Sequence, residues 1–181
     1  MRVVAGSAKG TRLAPVPAGT RPVSDRAREG LFSSLGLRVE GARVLDLFAG
    51  TGAMGIEALS RGAASALFVD SAPGALKAVR ENLRRTKLGK QATVRRQDAL
   101  GAVRGGIGPF DLILLDPPYR APGADVDAVL SEIAGQGVAE AGTTVVLTRS
   151  GKSYMPVIPV NWLLERRLSY GESAVLVFRT P

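Results

Sequence analysis

The stretch that decides the fold is FDLILLDPPY, residues 110–119. Leu112, Ile113, Leu114 and Leu115 are consecutive apolar residues with no polar alternation, the pattern of a strand buried on both faces of a parallel sheet. The run stops at Asp116. Pro117 and Pro118 cannot donate to a ladder, so the backbone leaves the sheet there as a stiff turn. Open α/β sheets place their chemistry just outside the carboxyl ends of their strands. Asp116, Pro117, Pro118 and Tyr119 therefore fall where a substrate would sit. Asp and Pro are also ordinary turn residues, so the case for chemistry depends on the rest of the chain.

Strands and helices alternate around this stretch. Upstream, 44–47 reads as a strand, 48–52 as a glycine turn, 53–60 as a helix closed by Gly62, and 66–69 as a strand ending at Asp70. A long helix over 73–87, closed by Gly89, and a third strand over 93–96, ending near Asp98, follow. Downstream come a helix over 126–134, a strand over 143–147, and a closing antiparallel hairpin of 162–169 and 174–178. This alternation predicts an α/β fold with a doubly wound, mainly parallel sheet. Ser24 can cap a further helix running to about Leu35, with Asp25 in its first turn. Ahead of it, RVVAGSAKGTRL (2–13) reads as a small β-hairpin outside the main core, set off by the Pro- and Gly-rich stretch 14–19. The expected division is an appendage over 1–20 and a main domain over 21–181.

The 181 residues suffice for one domain with a real core, and 45% of them are apolar. No run has the length of a membrane span, and the first 19 residues lack the apolar segment of a signal peptide, so a cytoplasmic protein is expected. The chain has no Cys and no His, which excludes disulfides, thiolate metal sites and any Ser-His-Asp triad, and no metal site is expected. The formal charge is +8 and uneven. Residues 1–30 hold six basic against two acidic residues, and 77–104 hold nine against two. Two such blocks on one small domain point to a polyanion, nucleic acid above all.

Four strands end in an acid: Asp46, Asp70, Asp98 and Asp116. Between the first two lies Gly50-Thr51-Gly52-Ala53-Met54-Gly55, a G-x-G-x-x-G turn in front of a helix N-terminus. Asp70 follows near the spacing of a ribose-binding acid, so an adenosine-bearing cofactor is expected. A dinucleotide site would aim that helix at a pyrophosphate, which Asp46 beside the loop would repel. The acid suits a cationic ligand, such as the amino group and sulfonium of S-adenosylmethionine.

Asp46-Leu47-Phe48-Ala49-Gly50-Thr51-Gly52 resembles the cofactor loop of the class I methyltransferases, and Asp116-Pro117-Pro118-Tyr119 resembles the D/N-P-P-Y/F signature of enzymes that methylate exocyclic amines of bases. Together with RPVSDRARE (21–29), the chain resembles the RsmD family of bacterial small-subunit ribosomal RNA guanine-N2 methyltransferases over nearly its whole length. The family usually has Thr-Thr where this chain has Val23-Ser24. The resemblance implies a Rossmann-like fold. It implies that Asp46, Phe48, Ala49, Gly50, Thr51 and Gly52 hold the methionine end of S-adenosylmethionine, Asp70 and Ser71 the ribose, and Asp98 with Ala99 the adenine. Asp116 and the Pro117 carbonyl would accept the hydrogens of the target amine, and Tyr119 would stack on an extruded base. Arg2, Lys9, Arg12, Arg21 and Arg26 would contact RNA. The implied partner is ribosomal RNA in the small subunit or an assembly intermediate, met by a monomer.

Three other readings stand beside this one. A DNA adenine-N6 methyltransferase shares the D-P-P-Y tetrapeptide but needs a target-recognition domain for which the chain has no room. A non-catalytic RNA-binding protein could keep the fold. A nicotinamide oxidoreductase rests on G-x-G-x-x-G alone.

Overall fold

The computed structural model describes residues 1–15, 23–150 and 154–181. Arg21, among the expected RNA contacts, lies outside them. Strands β1 (Arg43–Leu47), β2 (Ser65–Asp70), β3 (Ala92–Arg96), β4 (Phe110–Leu115), β5 (Ala139–Ser150), β6 (Leu163–Tyr170) and β7 (Ser173–Arg179) form one sheet in the order β3-β2-β1-β4-β5-β7-β6. The first five run parallel, and β7 enters antiparallel between β5 and β6. The expected α/β architecture with a closing hairpin is therefore present.

Alternate residues of each central strand feed two cores, as a period of two requires. On one face Val44, Phe68, Leu112 and Leu114 meet helices α1 (Asp25–Leu35), α2 (Ala53–Ser60) and α3 (Pro73–Thr86). On the other, Leu45, Val69, Ile113 and Leu115 meet α4 (Ala99–Arg104) and α5 (Gly123–Gly135). Burial on both faces is why these strands read as unbroken apolar runs. Ser24 caps α1 as expected, its hydroxyl accepting the Ala27 N–H at 3.2 Å.

Three local expectations are corrected. The six-residue α4 is absent from the sequence reading; Asp98 caps it by accepting the Gly101 N–H at 2.8 Å. Lys87 rather than Gly89 ends α3, in the left-handed conformation at φ 59. β5 begins at Ala139, earlier than the apolar run, because it pairs with Phe110 before a bulge.

The largest correction concerns the N-terminal hairpin. It is closed by a bridge between Arg2 and Arg12, but it does not lie outside the core. Val3 is 1% and Leu13 7% exposed, and both join the core with α1 and α2. Two short strands cannot bury their own apolar face, so they use the body's. The Val4 and Ala5 amides donate to the buried Glu57 carboxylate at 2.8 and 3.0 Å. The Ser7 amide donates to the Ser60 carbonyl at 2.7 Å, and the Ala8 amide to its hydroxyl at 3.0 Å. Gly6 makes this approach possible: a Cβ there would sit 1.7 Å from the Ser60 carbonyl oxygen. Arg28, fully buried on α1, donates to the carbonyls of Arg2 and Val23 and to Asp25.

Candidate active site

The carboxyl ends of β1, β2, β3 and β4 lie side by side at a cleft of about 470 Å³. That volume lies within the range of small-molecule sites. Asp46, Asp70, Asp98 and Asp116 all line it, as do Phe48, Ala49, Gly50, Thr51, Ser71, Ala99, Pro117, Pro118 and Tyr119. Residues 70 positions apart in sequence thus meet because their strands are neighbours. Gly52 is the exception among the expected cofactor residues. It precedes α2 in the left-handed region and packs toward Phe68 and Val79 instead of lining the cleft.

Each acid is held differently. Asp46 is 1% exposed, and its Oδ2 accepts the Gly55 N–H at 2.8 Å. Burial pushes its carboxyl well above the usual carboxylate range, and the nearby Asp116 and Asp70 add to the shift. Asp70 accepts the Gly50 and Ala72 amides, one on each oxygen, both at 2.9 Å, and so fixes the glycine loop to the end of β2. Asp98 is exposed and caps α4. Asp116 is pushed up to about 7 by burial.

The loop between β1 and α2 carries a second sign of constraint. Phe48 lines the cleft with φ 59, a conformation that L-residues seldom adopt. The Ala49 N–H donates to the Val69 carbonyl at 3.1 Å, which pins the turn across the top of β2. Gly55, the last glycine of the motif, sits against the strand: a Cβ there would meet the Phe68 ring at 2.4 Å. Its role is close helix–strand packing.

At the catalytic end, Pro117 is buried while Pro118 and Tyr119 are exposed. The Tyr119 ring is 40% exposed, and its hydroxyl lies 3.4 Å from Ser173 Oγ on β7. Arg120, Val23 and Met54 also line the cleft, and the sequence had assigned none of them a role there. Arg2, Lys9, Arg12 and Arg26 are exposed. Arg26 lines a second, shallower cleft with Ser24, Ser169, Tyr170 and Gly171. It adjoins the first, since Val23 lines one and Ser24 the other.

Two buried polar residues escaped the sequence reading. Glu57 on α2 receives the hairpin's amides, and Asn82 on α3 touches both the hairpin and the cofactor loop. The available signal was a lone Glu or Asn on an otherwise apolar helix face. Nothing local tells which distant backbone such a group serves.

An acidic cleft at the carboxyl ends of the strands, under a glycine turn and beside an Asp-Pro-Pro-Tyr corner, is the site of a class I methyltransferase. Comparison with known proteins agrees. The family described as conserved hypothetical protein 95 matches residues 1–179. Ribosomal RNA small subunit methyltransferase D of Escherichia coli is 33% identical over 99% of this chain and 89% of its own. YlbH of Bacillus subtilis, named as a candidate rRNA methyltransferase, is 36% identical over 99% of this chain and 98% of its own. Among solved structures, Escherichia coli yhhF, named as a candidate methyltransferase, superposes with a TM-score of 0.88 at 29% identity, covering 99% and 97% of the two chains. The chain belongs to the RsmD family of methyltransferases. Among the described residues, no helix is long and apolar enough to cross a membrane.

Proposed function

We propose that this protein transfers a methyl group from S-adenosylmethionine to the exocyclic N2 amine of a guanine in small-subunit ribosomal RNA. The observation that carries the reading is the convergence of four strand-end acids and the Asp116–Tyr119 corner on one cleft. A cation in so acidic a cleft would favour the ionised forms of Asp46 and Asp116 that burial opposes. S-adenosylmethionine fits that donor set, with Asp46 and the 48–51 backbone at its methionine end, Asp70 and Ser71 at the ribose, and Asp98 with Ala99 at the adenine. When bound, it supplies a methyl group on a positively charged sulfur that departs as a neutral thioether.

The protein's own residues prepare the nucleophile. An aryl amine delocalises its lone pair into the ring. Hydrogen-bond acceptors on its hydrogens, Asp116 and the Pro117 carbonyl, favour a pyramidal nitrogen with a directed lone pair. Asp116 can also take the proton that the amine loses. Tyr119, exposed at the rim, offers a face for an extruded base. Most of the acceleration is then positioning and electrostatics.

The protonation state of Asp116 bears on which base is chosen. Ionised, it only accepts, and guanine offers it two adjacent donors at N1 and N2. Protonated, it presents one donor and one acceptor and matches the amine and ring nitrogen of adenine. The guanine reading therefore requires the ionised form.

RNA grip falls to residues 1–20 and Arg26, and catalysis to the remainder. Arg2 and Arg12 are bridged partners across the hairpin, a like-charge pair that an anion relieves. The chain acts as a monomer in the cytoplasm, on the small subunit or an assembly intermediate. The test is transfer of labelled methyl from S-adenosylmethionine to naked small-subunit RNA, to the assembled subunit and to DNA. N2-methylguanine in either RNA substrate is expected. Label in adenine of DNA alone would replace this reading with the DNA one, and cofactor binding without turnover on any substrate would leave only RNA binding.

A further inference from the structure

We propose that Asn82 is a positioning residue for the cofactor loop, and that through it the seating of the N-terminal arm sets how tightly the protein holds S-adenosylmethionine. This rests on the cofactor reading above. Asn82 is fully buried on α3, on the face that carries Leu76, Val79 and Leu83. An amide in such surroundings must find a partner for each end. Its Nδ2 donates to the Thr51 carbonyl at 2.8 Å, and its Oδ1 accepts the Ala14 N–H at 2.7 Å. Thr51 belongs to the loop that lines the cleft, and Ala14 directly follows the buried Leu13 of the hairpin. One planar amide thus hydrogen-bonds both the arm and the loop.

The chemistry of both partners dictates the residue. A carbonyl on one side and an N–H on the other admit only one orientation of the amide; flipped, it would set donor against donor and acceptor against acceptor. Asp lacks the donor, and Leu lacks both groups. When the arm lifts, Oδ1 loses its donor, the amide is free to turn, and the Thr51 carbonyl loses its fixed partner. An RNA that grips the arm and Arg26 on α1 together keeps the arm seated. It thereby favours the loop shape that binds cofactor, and by linkage the cofactor tightens RNA binding by the same factor.

The experiment titrates S-adenosylhomocysteine, which has no methyl to donate, into the wild type, Asn82→Asp, Asn82→Leu, Ala14→Pro and the double variant Asn82→Asp/Ala14→Pro. Each is measured with and without a small-subunit RNA transcript, well below its own melting temperature. Asn82→Asp keeps the acceptor for Ala14 but sets a second acceptor against the Thr51 carbonyl; Ala14→Pro removes the arm's N–H and fixes the backbone there. Each single change is expected to weaken binding roughly tenfold, the scale of a buried hydrogen bond left unmade. The double variant should fall short of the sum, and RNA should tighten binding in the wild type alone. Wild-type affinity in Asn82→Asp or in Ala14→Pro, even with a lowered melting temperature, overturns the proposal. So do additive losses, or an RNA effect that survives both changes. A wild type that binds no S-adenosylhomocysteine sinks the cofactor reading instead, a separate and recognisable result.

Discussion

Asp46 Oδ2 accepts the Gly55 N–H at 2.8 Å, joining the end of β1 to the first turn of α2 across the mouth of the glycine loop. Only one oxygen is spent this way. The residue lines the cleft, buried and with its carboxyl pushed up, so a bound cation is what would make its ionised form comfortable. Asp46→Asn keeps an acceptor for Gly55 and removes the charge. Affinity for S-adenosylmethionine is expected to fall about 10- to 100-fold, the range of a hydrogen bond to a charged group, while the fold remains. Calorimetry giving an unchanged affinity would remove Asp46 from the cofactor site.

Asp116 predicts the pH dependence of stability. Its folded value is about 7, against roughly 3.9 in an unfolded chain. The folded state therefore holds a proton that the unfolded state has released, and stability falls as pH rises through that window. Asp116→Asn removes this liability. The variant should melt above the wild type at pH 8, with the gap shrinking as pH is lowered toward about 4. A gap that does not change with pH would mean the carboxyl is not raised.

The same group predicts the rate profile. If the ionised carboxylate accepts the amine hydrogens, kcat/KM for RNA should rise with pH and level off above about 7. Asp116→Ala should lower turnover roughly 10²- to 10³-fold and leave cofactor affinity within a few-fold. Turnover near that of the wild type would show that the amine is held elsewhere.

Tyr119 separates stacking from hydrogen bonding. Its hydroxyl makes only the long contact to Ser173, whereas its ring is open at the rim. Tyr119→Phe is expected to be mild. Tyr119→Ala should lose about 1–3 kcal/mol of base stacking. Equal losses in the two variants, read as kcat/KM for RNA, would rule out a stacking role.

The hairpin can be tested in two parts because its cations are exposed and its apolar residues are not. Replacing Arg2, Lys9 and Arg12 by Gln should leave the melting temperature unchanged. If all three touch phosphates, the slope of log K against log salt should flatten by about 2–3 units. Deleting residues 2–13 should instead destabilise the fold, since loss of Val3 and Leu13 alone removes about 3–6 kcal/mol of burial. A truncated protein that melts like the wild type would contradict the packing of the arm.

The central strands β1, β2 and β4 were legible because burial on both faces leaves an apolar run with an acid at or near its end, whereas the edge strand β3 carries no such run and Asp98 follows it by two residues. The cleft followed from the strand order alone. Less could be seen where a residue's partner is remote. RVVAGSAKGTRL looks detachable as a string, and its docking shows only in remote partners such as Glu57 and Ser60, more than fifty positions away. Asn82 breaks an apolar stripe without indicating why. The helix α4 has six residues, too few for periodicity to register, and Lys87 adopts a backbone that composition assigns to glycine.

The arm's hydrogen bonds to Glu57 and Asn82 span 52 to 68 residues. The arm precedes these partners in the sequence, and its Asn82 acceptor is not made until α3 has been added. Val3 and Leu13 therefore stay uncovered until α1 and α2, on which they pack, have been made, and the Ala14 N–H waits longer still. A nascent chain halted before α2 is complete exposes an apolar, cationic hairpin without Glu57 and Ser60 to close on. Completion of α3 adds the Asn82 acceptor for Ala14 and is the last step in seating the arm.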